Sequence, residues 1–286
     1  MDFLEHIKHR FKNAGIIEKL IYANLAVFLL VFLANTFSYL FQFNSNILVE
    51  WFSLPANLND FIHKPWTIIT YGFLHARFLH ILFNLIALFF IGHLFKQYFT
   101  SKQLLNFYIL GTIVGGLIFM ISYNTFPALQ KDSHNSILLG ASAGISAIFI
   151  GIATYMPNYE IKFPLIGFVK LWILAAIWIA IDIIQIPASN AGGHLAHLGG
   201  ALFGFLYVNK ASNKELDIFS PFKNLFKKKE KPLKTVYKSG NKTRKKTGTK
   251  TQNQQEIDAI LDKISKSGYD ALTKDEKEFL FKQGNK

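Results

Sequence analysis

Between Lys19 and Glu50 the chain carries no charged side chain. A helix needs about 20 apolar residues to cross the roughly 30 Å of hydrocarbon in a bilayer, and Leu20–Phe41 is long enough. Backbone inside lipid must satisfy its own hydrogen bonds, which leaves helices or closed barrels. Five further apolar runs follow at Leu74–Phe95, Leu104–Phe126, Leu139–Met156, Pro164–Ile184 and Gly192–Val208. Lengths in the helical range argue for an all-α membrane protein with six transmembrane helices. Composition agrees, because 51% of the 286 residues are hydrophobic, 29 are Phe and mean hydropathy is +0.24. A water-soluble domain of this size rarely shows such values. Cysteine is absent, which excludes disulfides, thiolate metal sites and a cysteine nucleophile and leaves the redox compartment open.

Basic residues near the spans set the expected orientation. Lys8, Arg10, Lys12 and Lys19 precede the first span, Lys96 and Lys102 fill the second-to-third link, and lysine is abundant after Asn209. The alternate links hold Lys64 and Lys131, with Arg77 near a span end. Both termini are therefore expected in the cytoplasm. The first nineteen residues are charged and amphipathic, unlike a cleavable signal peptide, so the first run reads as a retained anchor.

Four domains of different character are expected: an N-terminal segment 1–19, a membrane domain 20–209, a basic linker 210–252 and a small helical hairpin 253–286. From Lys210 onward there are 20 Lys plus Arg against 10 Asp plus Glu. The basic run Lys223–Lys250 is suited to anionic lipid headgroups, and its place just after a span argues against nucleic acid. Ile257, Ile260, Leu261 and Ile264 then give an amphipathic helix that Gly268 ends. Thr273-Lys274-Asp275-Glu276 is a capping box for a second helix carrying Phe279 and Leu280.

Small residues recur at four-residue spacing in the third, fourth and sixth spans: Gly111 and Gly115, Gly140 and Gly144, Ala143, Ala147 and Gly151, Gly200 and Gly204. That spacing lets helix backbones approach closely.

Polar groups inside spans are costly and point to function. With the N-terminus inside, the second, fourth and sixth spans all begin at the outer face. Near those beginnings stand His75, His80 and Asn84, then Ser142, then His194 and His197. His80 and Asn84, at i and i+4, share one helix face. Ser142 opens its span, where free backbone N–H groups and the positive helix end favour a developing negative charge. A serine there suits acyl transfer, and His194 is the expected base for it. Asp182 is the sole carboxylate of the last two spans and an uncertain partner, so a Ser142–His194 dyad is the simpler expectation. His63, His93 and His134 read as ordinary loop or interface residues.

The run Pro65–Asn84 (PWTIITYGFLHARFLHILFN), then Gly140-Ala141-Ser142, then Gly193–Gly200 (GHLAHLGG), resembles the rhomboid intramembrane serine proteases over about residues 20–209. The three motifs in this order are specific together. The resemblance implies a six-helix bundle that cleaves single-span membrane proteins in or near their transmembrane segments, without metal or other cofactor. It implies Ser142 as nucleophile and His194 as base, with His80, Asn84 and the Ser142 backbone N–H binding the oxyanion. His75 and His197 are implied as supporting residues, and Gly140 as the close turn before the nucleophile. A bacterial inner membrane is the expected location. The chain departs from the pattern at Ala143, where glycine is usual, and at Ser146, where an aromatic residue often stacks on the base. It also lacks a tryptophan–arginine pair between Gln42 and Pro65. Two rivals are a catalytically silent membrane-protein binder and a metal transporter or enzyme using His75, His80, His194 and His197. The intact serine and histidine argue against the first, and the absence of a His-Glu-x-x-His run against the second.

Overall fold

The computed structural model describes residues 5, 9, 11–43, 47–164, 166–211 and 252–284. The chain divides into two units, Met1–Lys227 and Lys228–Lys286.

The first unit is an all-α membrane bundle. Its principal helices are α1 (Ile16–Phe41), α2 (Phe78–Lys96), α3 (Ser101–Thr125), α4 (Ser142–Tyr155), α5 (Leu171–Gln185) and α6 (Ala191–Ala211). By length and composition α1, α2 and α3 can each cross a membrane, whereas α4 and α5 are shorter apolar helices of 14 and 15 residues. The protein is a multi-pass integral membrane protein. Its outer surface is correspondingly apolar, with Leu30, Phe78, Phe90 and Ile184 each more than 60% exposed. In water such a surface would be an aggregation hazard; in lipid it is the ordinary outside of a bundle.

α4 is the axis of this unit, with every residue from Ala143 to Ala153 buried. It is enclosed by α3 and α6, and the contact is close because glycine lies at each crossing. A methyl on Gly111 would collide with the Ala147 side chain, and one on Gly200 or Gly204 with the backbone carbonyl of Ala143 or Ala147. Helices thus touch backbone to backbone, which dispersion contacts reward in the absence of a hydrophobic drive. Ala143 is tolerated in place of glycine because it faces Gly115, where an added Cβ would lie 2.6 Å from the Ala143 methyl.

Three helices start later than the sequence expectation, each for a local reason. The second helix begins at Phe78 rather than Leu74, because Tyr71–Phe73 is a 3₁₀ turn and the chain is extended at Leu74 and Arg77. The fourth begins at Ser142 rather than Leu139. Gly140 has φ +126°, a value closed to a continuing helix, and Ile137–Leu138 (β2) pairs antiparallel with Leu54–Pro55 (β1). The fifth begins at Leu171 rather than Pro164, because Glu160–Phe163 (β3) and Gly167–Lys170 (β4) form a hairpin.

The segment before α2 is ordered by side chains of its own. Trp51 and Trp66 stack with centroids 6.0 Å apart, Trp66 Nε1 donates to the Trp51 carbonyl at 2.8 Å, and Lys64 Nζ lies 5.4 Å over the Trp51 ring. This cation–π and stacking cluster orders the segment where the tryptophan–arginine pair is missing.

In the second unit, α7 (Gln252–Ser267) and α8 (Lys274–Gly284) flank a 3₁₀ turn at Tyr269–Ala271. Thr273 and Glu276 exchange the two hydrogen bonds of a capping box, 2.7 and 3.4 Å. Lys263 ties α7 to Glu276 at 2.9 Å. The basic run Lys223–Lys250 lies outside the described residues.

Candidate active site

Four segments meet around one cavity of about 790 Å³, lined by α2, the approach to α4, α5 and the start of α6. Ser142, His80, Asn84 and His197 all line it, together with Trp178 and Asn190. Of the six polar groups near the three helix beginnings, four thus share the cavity, while His75 bonds Asn84 and His194 bonds Asp182.

Ser142 stands at the first turn of α4, after the bend at Gly140. The bend is held from below: Gly140 N–H donates to the Tyr71 carbonyl at 2.9 Å, and Tyr71 Oη donates to the Thr112 carbonyl of α3 at 2.6 Å. Space at Gly140 is closed by the His80 ring, since an added Cβ would lie 2.8 Å from His80 Cε1 and 3.0 Å from Nε2. The same point lies 3.7 Å from Ser142 Oγ, so His80 Nε2 and the serine hydroxyl border one small space.

The ring at the serine belongs to His197. His197 Nε2 lies 2.6 Å from Ser142 Oγ. The expected contact from His194 is therefore not the one formed, and the reason is register. Gly200 meets Ala143 and Gly204 meets Ala147, so α4 and α6 run parallel with a fixed offset. At 1.5 Å per residue, His194 starts roughly 9 Å above Gly200 along the axis and His197 only about 4.5 Å above it. Ser142 is one residue above Ala143, within reach of the nearer histidine.

Asp182, doubtful as a partner from the sequence, is central. Its Oδ1 lies 2.8 Å from Nδ1 of both His194 and His197. The carboxylate is buried, near the C-terminal end of α5. An ionised carboxylate only accepts hydrogen bonds, so each imidazole donates from Nδ1 and leaves Nε2 as an acceptor. For His197 that acceptor faces the serine hydroxyl, the arrangement needed to take its proton. Ligand atoms of Asp182, His194 and His197 also lie within 4.8 Å of one another, which suits a metal ion. Binding one there would consume the Nδ1 positions that now hold the two hydrogen bonds. Neither His75 nor His80 joins this group.

Asn84 and His75 act as a pair beside His80. Asn84 Nδ2 donates to His75 Nε2 at 3.0 Å, and the Ala141 backbone N–H reaches the same nitrogen at 3.4 Å. An amide NH₂ has two hydrogens, so Asn84 keeps one for the cavity it lines. His75 is buried and sits edge-on to His80 at 5.0 Å between centroids. Ser146, where an aromatic residue is common, instead accepts a 3.2 Å hydrogen bond from Trp178 Nε1 of α5. No sequence motif marks Trp178 or Asn190 as a residue of the site. Asn190, at φ +48°, accepts from the Gly193 N–H at 3.3 Å and so opens α6. Of the three histidines set aside, His134 bonds Asn57 at 2.7 Å, and His93 meets Glu18 at 3.6 Å.

Comparison with known proteins gives this geometry a context. A family model for the Rhomboid domain matches residues 63–214, and one described as a family of unknown function (DUF6576) matches residues 245–282. RHOMBOID-like protein 12, mitochondrial, of Arabidopsis thaliana is 28% identical over 177 residues, covering 55% of this chain and 53% of that protein. Rhomboid protease GlpG of Yersinia pseudotuberculosis is 25% identical over 168 residues, covering 55% and 52%. A protein of the same name from Yersinia pestis matches at 25% over 168 residues. The chain spans about half the length of the curated relatives it matches.

Proposed function

The chain belongs to the rhomboid family, and from that premise we propose that it is an intramembrane serine endopeptidase acting on single-span membrane proteins in or near their transmembrane segments. The observation that carries the reading is the 2.6 Å contact between Ser142 Oγ and His197 Nε2, beside a cavity large enough for an extended peptide. Two relatives named rhomboid protease support it.

In this mechanism His197 replaces His194 as base. His197 Nε2 takes the Ser142 proton while Oγ attacks the scissile carbonyl carbon, and the carbonyl electrons move onto oxygen. The Ser142 backbone N–H, at a helix start with no intrahelical acceptor, receives that oxyanion together with His80 and the free hydrogen of Asn84. His75 holds Asn84 in place. The tetrahedral centre then expels the amine, which leaves with the proton from His197. Water, deprotonated by the same nitrogen, cleaves the Ser142 ester and regenerates the enzyme.

A substrate segment reaches the serine between α2 and α5, since Phe83 and Ile86 of α2 and Trp178 of α5 line the cavity beside it. Its transmembrane helix has to unwind there, because a nucleophile needs an exposed carbonyl. The basic linker 210–252 holds anionic headgroups on the cytoplasmic face, and the protein resides in a bacterial inner membrane with both termini inside. A silent binder would have no need for a hydroxyl and imidazole at bonding distance. The metal reading draws on Asp182, His194 and His197, with their ligand atoms within 4.8 Å.

The deciding experiment compares wild type and Ser142→Ala in vesicles with a generic single-span substrate. Cleavage by wild type, loss in Ser142→Ala and indifference to chelator are expected. Equal cleavage by both would end the serine mechanism, absence of cleavage by either would favour the binder, and loss on chelation would favour metal.

A further inference from the structure

Asp182 is the sole charged residue of α5 and, with Leu171, one of only two buried residues there. Burying a carboxylate inside a membrane bundle costs several kcal/mol unless it is paired and hydrogen-bonded. One of its oxygens meets two imidazole N–H groups from the next helix, each at 2.8 Å. Two such bonds on one oxygen fill both of its lone pairs and hold its direction.

We propose that Asp182 is a positioning residue for peptide hydrolysis, completing a Ser142–His197–Asp182 relay in which His194 is the second clamp on the carboxylate. The proposal rests on the protease reading above. Asp182 touches neither substrate nor serine, so it acts through His197. Accepting the Nδ1 proton, it fixes the tautomer in which Nε2 is unprotonated toward Ser142. It also sets the plane of the ring, and it faces the positive charge that forms on His197 while the serine proton is held there. His194 donates to the same oxygen and so fixes the direction in which the carboxylate meets His197. No proton crosses to Asp182 at any step.

The proposal separates three acid–base elements of the site that a serine–histidine pair alone would merge. Ser142 supplies the nucleophile, His197 moves the proton, and Asp182 decides which nitrogen does so. A merely structural Asp182 would affect substrate affinity, assembly and turnover together through loosened packing of α5. A positioning Asp182 affects turnover selectively.

The full chain in vesicles tests this with Asp182→Asn and Asp182→Glu, reading kcat and KM on a single-span substrate. In soluble serine triads the Asp-to-Asn change costs about 10⁴-fold in kcat. Here Asp182→Asn is expected to lower kcat by about 10²- to 10⁴-fold with KM within about threefold, and Asp182→Glu to recover at least about tenfold of the loss, on the same logic. Retention of kcat within about threefold of wild type in Asp182→Asn would overturn the proposal, as would equal losses in kcat and affinity that Asp182→Glu does not repair. A second measurement is independent of cleavage and of variant folding at position 182. In ¹⁵N-histidine-labelled Ser142→Ala protein, both His194 and His197 should carry their proton on Nδ1 with a low-field N–H signal. A proton on Nε2 of His197 would overturn the proposal. If wild type and Ser142→Ala cleave equally, the protease reading fails while this tautomer result still stands or falls alone.

Discussion

Two histidines three residues apart bond the same carboxylate oxygen, yet one of them meets the serine. His197→Ala is therefore expected to abolish cleavage, a loss of about 10⁴-fold or more as when a triad base is removed. His194→Ala keeps the His197–Asp182 and His197–Ser142 bonds and should lose no more than about tenfold, since it removes one of two hydrogen bonds to a charged group. Parallel kcat measurements on the two variants check this, and the reverse order would return the base to His194. Much of the site was legible in the sequence at this scale. A serine at a helix beginning, polar residues at i and i+4, and a histidine pair in an apolar run can each be recognised without coordinates. The choice between His194 and His197 was not legible from the pair alone, because both face α5 and only the offset of α6 against α4 separates them. One signal was available: His197, Gly200 and Gly204 fall at i, i+3 and i+7, one stripe with the small residues that let the helices meet. Asp182 had no such signal, since its partners lie on another helix.

At the scale of elements, α3, α4 and α6 are held by glycine at close crossings, while α5 packs lightly. Gly200→Val would drive a branched side chain into the Ala143 carbonyl, with no flexible group to yield. The helices must separate, costing roughly 1–3 kcal/mol by analogy with overpacked cores. Because Ala143 adjoins Ser142, activity should fall along with the thermal midpoint. A detergent thermal shift with paired cleavage assays measures both, and unchanged stability would show that α6 can slide without cost. The small-residue spacing that announces these crossings was readable along the chain. The β3–β4 hairpin was not, because Pro164 through Lys170 is apolar enough to pass for the start of a span. Apolar periodicity alone does not distinguish a short strand pair from helix. The extended backbone at Leu74 and Arg77 escaped for the same reason.

For the molecule as a whole, the short α5 matters most. At 1.5 Å per residue its 15 residues span about 22 Å, well under the hydrocarbon thickness of about 30 Å. Ile177, Ile181 and Ile184 on it are about half exposed or more, so lipid rather than protein covers much of this helix. Mismatch costs fractions of a kcal/mol per Å, and a thicker bilayer should press unfavourably on α5. Cleavage in vesicles of 14-carbon lipids is expected to exceed that in 22-carbon lipids by a few-fold, read as initial rate at equal protein density. Equal rates would mean that the surroundings of α5 adapt without strain. The doubly bonded Asp182 ties this lipid-facing helix to the site. Swinging the end of α5 outward by more than a hydrogen-bond length would widen the cavity and, in the same movement, strip His197 of the acceptor that orients it. Admission and cutting would then be mutually exclusive in time: an open enzyme holds a serine without an oriented base, and the base is restored only once the client is enclosed.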